Sequence, residues 1–169
     1  MKHKLRGVTL LELLVTLTLF ALLLTLALPA VGQWIARQQL QGALDDVRQS
    51  LELARRSATT RQRLVWVEFS QQNGGWLMRV SEQAAGAGCD SQHDLRCIGS
   101  EQHAGIVLNP VGQTLPLRLA FSPLRGMPQD VGGNAIKEID LRLSRAACQP
   151  ATLQLLSTGL IHNEAVRCP

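Results

Sequence analysis

The chain lacks the residue groupings on which catalysis depends. Its histidines, His3, His93, His103 and His162, are scattered along 169 residues, and no serine or cysteine stands in a nucleophile motif. A Walker-type phosphate loop is missing, so any energy-requiring step must draw on another protein. These absences exclude an enzyme and imply no cofactor. Net charge is scarce as well. Without Lys2, Lys4 and Arg6 the 17 basic side chains become 14 against 13 acidic, a net of +1, which gives no bulk reason to expect nucleic acid. There is no internal repeat. Close C-x-x-C pairs are absent, which weakens any metal reading of the cysteines.

Charge is also missing from the apolar run between Val8 and Ile35, with the single exception of Glu12. The run is long enough to cross a bilayer as a helix, and an acidic side chain in such a helix costs roughly 2.5–3.5 kcal/mol to insert, so it marks a functional contact. Lys2, Lys4 and Arg6 lie just before it and place the amino terminus on the cytoplasmic side, with everything after the helix across the membrane. An ordinary secretory signal explains the pattern less well. Its apolar region spans about 7–15 residues and carries no charge within it. A plain single-span anchor leaves Glu12 without a purpose.

The stretch Arg6-Gly7-Val8-Thr9-Leu10-Leu11-Glu12 resembles the start of type IV prepilins and type II secretion pseudopilins, with a short basic leader, a Gly before the cut and Glu at the fifth mature position. Val8 stands where most members carry Phe. The resemblance implies a building block and not a catalyst: prepilin peptidase would cut between Gly7 and Val8 and methylate the new amino group of Val8. It divides the chain into a leader over 1–7, a transmembrane or filament-core helix over 8–33, and a periplasmic globular domain over 34–169 whose first part, 34–60, is the soluble half of the same helix. Glu12 would meet the Val8 amino group of a neighbouring subunit, since opposite charges attract far more strongly in a low dielectric than in water. The implied partners are the peptidase, other major or minor pilins or pseudopilins, an inner-membrane assembly platform and a cytoplasmic ATPase. The implied location is the inner membrane, single-pass, and then the filament.

Beyond the apolar run, Pro29 and Gly32 are expected to loosen the helix. Leu40, Leu44, Val47, Leu51, Ala54 and Ala58 then recur at spacings of four and three, one apolar stripe on an amphipathic helix. A continuous helix from Val8 to Thr60 would be about 80 Å long. Strand patterns follow: Arg63 to Ser70, Trp76 to Val80 across Asn73-Gly74-Gly75, Gly105 to Leu108, Leu115 to Phe121, Ile139 to Leu143, Ala151 to Ser157, and a short piece near Leu160 and Ile161. Asn-Gly is a strong hairpin signal. Residues 81–104 read as a long exposed excursion and Ser122 to Asn134 as turns. The expected fold is α+β, a long helix packed on antiparallel sheet.

Cys89, Cys97, Cys148 and Cys168 all follow the apolar run, where an oxidising compartment favours disulfides. Of three pairings, Cys89 with Cys97 and Cys148 with Cys168 is preferred, because each encloses a short local loop. A zinc site built on Cys89, His93 and Cys97 is the alternative.

The order of elements, with Ala54-Arg55-Arg56-Ser57-Ala58 leading into the first strand and Thr158-Gly159 before a terminal Cys, is most similar to the minor pilins FimT and FimU and the pseudopilin GspH. This implies a subunit that initiates, primes or caps a type IV pilus or a secretion pseudopilus. The second reading is a DNA-binding minor pilin of the natural-transformation uptake machinery. Some FimT-like proteins carry a late Gly-Arg-x-Arg motif; here Gly159-Leu160-Ile161-His162 keeps the Gly and lacks both arginines. Arg55, Arg56, Arg61 and Arg63 form the densest basic cluster, with Arg167 near the end, but a helix turns about 100° per residue and spreads such charges over a solvated face.

Overall fold

A computed structural model describes residues 9–84, 86, 88–90 and 92–168, with side chains at 26–30 excepted. The expected cleavage junction at Gly7 and Val8 lies outside the described residues. Helix α1 runs as one element from Leu10 to Arg61 and passes through position 29 without a break. Thr9 caps its start: the Thr9 hydroxyl accepts from the Glu12 backbone N–H at 3.3 Å. Thr9-Leu10-Leu11-Glu12 is thus the T-x-x-E signature of a helix amino terminus, and the Glu12 carboxylate sits in the first turn, where the helix dipole favours negative charge. At the other end Gln62 adopts a left-handed conformation (φ 53°) and its N–H, like that of Arg63, returns to the Ala58 carbonyl. That closure satisfies a carbonyl the helix would otherwise leave open.

Nine strands follow: β1 (Val65–Gln72), β2 (Gly75–Ser81), β3 (Asp94–Gly99), β4 (Ile106–Pro110), β5 (Leu117–Phe121), β6 (Pro128–Gln129), β7 (Glu138–Arg145), β8 (Ala151–Leu156) and β9 (Ile161–Asn163). They form two antiparallel sheets, ordered β3-β2-β1-β5-β6 and β4-β7-β8-β9. In the β1–β2 hairpin Gln72 pairs with Gly75, and the two residues between them, Asn73 and Gly74, both have positive φ, as the tightest twisted hairpins demand.

The core lies where the stripe of α1 meets both sheets. Leu40, Leu44, Val47, Leu51, Ala54 and Ala58 are fully buried, against Val67, Phe69 and Phe121 of the first sheet and Leu141, Leu143 and Leu153 of the second. Burying one such leucine is worth about 1.5–3 kcal/mol, so this stripe anchors both sheets to the helix.

The reading of 81–104 as an exposed excursion is corrected: β3 lies inside it and pairs with β2, with an irregular step at Val80 and Ser81. Asp94, Arg96 and Cys97 mask its strand character, because their partners sit on other elements. Within the turn-rich 122–134 stretch, β6 likewise pairs with β5. Arg63 and Leu64 precede the first strand and do not join it.

Candidate functional site

The helix beginning at Leu10 has an apolar surface that nothing among the described residues covers. Leu10 is 78% exposed, and Leu13, Leu17 and Phe20 are also open. Leaving such side chains in water forfeits the free energy that burial would return, so this half of α1 is built to be covered by something other than its own chain. Glu12 lies in its first turn and has no ion-pair partner among the described residues. Among the described residues, no helical segment is long and apolar enough to cross a membrane.

The arginines separate into three places. Arg61 and Arg63 both pair with Glu82, the latter at 3.7 Å, which neutralises much of the basic run at the helix end. Arg167 is beside the last disulfide, where its carbonyl accepts from Gln149 N–H at 2.8 Å. Arg55 and Arg56 instead line a pocket of about 400 Å³ with Arg48, Glu52, Arg125 and Leu160. Arg55 Nη1 donates to the Gly159 carbonyl at 3.0 Å, while Glu52 takes Arg48 at 3.0 Å and Arg56 at 3.5 Å. The five basic positions named from the sequence therefore do not form one surface.

Two disulfides close loops. Cys89 pairs with Cys97 and Cys148 with Cys168, the latter across 20 positions. On the loop-entropy model a closure of that length contributes roughly 3 kcal/mol, and it ties the carboxyl end to the turn before β8. Cys89, Asp94 and Cys97 have their donor atoms close together, but the two sulfurs are bonded to each other and offer no thiolate to zinc. Between them Asp90 organises the loop: its carboxylate accepts from Gln92 N–H at 2.9 Å and lies 2.6 Å from His93 Nδ1. These contacts, the backbone bond first, hold the Asp90 carboxyl below its ordinary range.

Sequence reasoning missed a buried ion network on the outer face of the first sheet. Glu68 is only 7% exposed. It meets Arg79 at 3.3 Å and Arg118 at 2.8 Å, and Arg79 continues to Asp94 at 3.1 Å. Cross-strand register sets this up, since Glu68 lies directly opposite Arg79 on β2 and Arg118 on β5. The signal available was one charge in each of three apolar strand patterns, Val-Glu-Phe, Met-Arg-Val and Leu-Arg-Leu. Two anions and two cations balance, as a buried network requires.

Comparison with known proteins brings these features together. Residues 2–28 match the model of the prokaryotic N-terminal methylation motif, and residues 43–159 match that of the type II transport protein GspH. Among solved structures, two crystal forms of the type IV minor pilin FimU of Pseudomonas aeruginosa PAO1 share the fold. One is 18% identical with a TM-score of 0.58, covering 78% of this chain and 92% of that one. The other is 16% identical with a TM-score of 0.54, covering 73% and 91%. A search of curated proteins finds no match.

Proposed function

We propose, from the premise that the chain belongs to the type II transport protein GspH family, that Glu12 is the contact through which it enters its filament. The protein is a minor pilin or pseudopilin of the FimT, FimU and GspH type, a structural subunit and not an enzyme. The amino-terminal motif makes it a membrane-anchored pilus subunit that assembles with other pilins after processing by prepilin peptidase.

The finer sequence of events is our reading. The leader 1–7 stays cytoplasmic, the peptidase cuts between Gly7 and Val8 and methylates Val8, and 8–33 holds the subunit in the inner membrane with 34–169 in the periplasm. An assembly platform driven by a cytoplasmic ATPase then draws the subunit into a pilus or pseudopilus, where it initiates, primes or caps. The observation that carries this is the uncovered apolar half of α1 with, in its first turn, a carboxylate that has no ion-pair partner among the described residues. Transfer into a bundle of like helices covers the apolar surface, and the Val8 amino group of a neighbour supplies the charge Glu12 lacks.

The test is Glu12→Gln in the full-length chain. Membrane insertion should persist, while incorporation into sheared filaments or cross-linked pseudopilus complexes should fall sharply. Normal incorporation would refute the role of Glu12. A DNA-uptake role is not favoured: Arg61 and Arg63 share Glu82, which offsets one of their two charges, and Arg167 lies apart from Arg55 and Arg56.

A further inference from the structure

We infer that the pocket between the carboxyl-terminal half of α1 and the turns at 122–127 and 157–160 docks a neighbouring protein subunit through one carboxylate bordered by apolar side chains. The inference rests on the assembly reading above and names a second contact, remote from Glu12.

Four guanidinium groups, from Arg48, Arg55, Arg56 and Arg125, line it with one carboxylate among the described residues, Glu52. Glu52 is already shared by Arg48 and Arg56. Among the described residues no carboxylate lies within ion-pair distance of Arg55 or Arg125. The pocket thus has cationic capacity for one more acid.

Arg55 is also held in advance. Gly126 and Gly159, both with positive φ, press against it: a Cβ on Gly126 would stand 2.8 Å from Arg55 Cγ, and one on Gly159 would stand 3.0 Å from its Nε. With Nη1 bonded to the Gly159 carbonyl, the guanidinium has little freedom left to lose on binding, which favours association. A carboxylate accepting from a fixed guanidinium makes the strong, charge-assisted kind of hydrogen bond.

The rim decides between a protein and a nucleic acid. Leu124, next to Arg125, is 87% exposed, and Leu160, which lines the pocket, is 59% exposed. Arginine among exposed apolar side chains is the composition of a protein interface. A phosphodiester backbone instead gains its affinity from several cations spread along a polar track, and here Arg61, Arg63 and Arg167 are placed elsewhere.

The experiment uses the full chain, isotopically labelled in detergent micelles, titrated with N-acetyl-Leu-Asp-Leu-amide at millimolar concentration and followed by NMR. The Arg55 and Arg125 side-chain signals and the Leu160 methyls should shift. The matching Asn peptide should bind at least about tenfold more weakly, the factor that corresponds to loss of one charge-assisted contact. Arg125→Gln should weaken binding of the Asp peptide by a similar factor without changing the melting temperature, since no ion pair of the folded chain includes Arg125 among the described residues. No shift, or equal shifts from both peptides, would overturn the proposal. Tighter binding of a short DNA duplex at the same signals, falling steeply with salt, would also overturn it and assign the pocket to phosphodiesters. A chain that fails this test but still needs Glu12 for incorporation loses the docking site and keeps its assembly role.

Discussion

Replacing Arg79 by Met keeps the length and most of the volume of the side chain while removing the cation that joins Glu68 to Asp94. Asp94 then loses the one ion-pair partner it has among the described residues, at 3.1 Å, from a position where its side chain is 1% exposed. Glu68 retains Arg118. Removing one member of a buried pair costs roughly 3–5 kcal/mol because it strands the other charge; since Glu68 remains compensated and Asp94 still accepts from Asp90 N–H, we expect the lower end, about 3 kcal/mol. The assay is denaturant unfolding of the full-length chain in micelles with disulfides intact, where the midpoint should fall at unchanged slope. Arg118→Met should cost less, about 1 kcal/mol, because that guanidinium is substantially exposed and water screens its pair. The double variant Arg79→Met with Asp94→Asn should lose less than the sum of its parts, since no buried charge is left alone. A loss below about 1 kcal/mol for Arg79→Met, or strict additivity in the cycle, would refute the view that this network behaves as a buried unit.

Intact-mass measurement of the processed protein should find a species beginning at Val8 and carrying one added methyl group; a different first residue would refute the assigned junction. Non-reducing peptide mapping should recover Cys148 joined to Cys168, and replacing both by Ser should lower stability by roughly 3 kcal/mol, with free thiols at these positions defeating the assignment. The Asp130 carboxylate accepts from the Asn134 side chain and backbone, which hold its pKa below the ordinary 3.8. Because the folded value is depressed, the stabilisation is present above pH 3.8 and is lost as pH falls through the folded value. A carboxyl carbon NMR titration with its midpoint at or above 3.8 would contradict this.

The chain order alone determined the long helix, its buried stripe and the first hairpin. Each rests on local periodicity or turn chemistry: Leu40 to Ala58 repeat at helical spacing, and Asn73-Gly74 accept the positive φ of a tight turn. The amino-terminal motif is equally local, since Thr9 and Glu12 are one helical turn apart. Strand β3 was hidden because its polar side chains find their partners on other elements of the fold. Arg96 reaches Asp46 across 50 positions, and Asp94 needs Arg79. Division of the strands into two sheets, the Glu68 network and the pocket around Arg55 were decided only by tertiary structure. Gly159 is 104 positions from Arg55, and no pattern along the sequence records that its carbonyl will hold that guanidinium. Periodicity reports which face of an element is buried; it does not report which element arrives to cover it, because that depends on register and packing among strands distant in the chain.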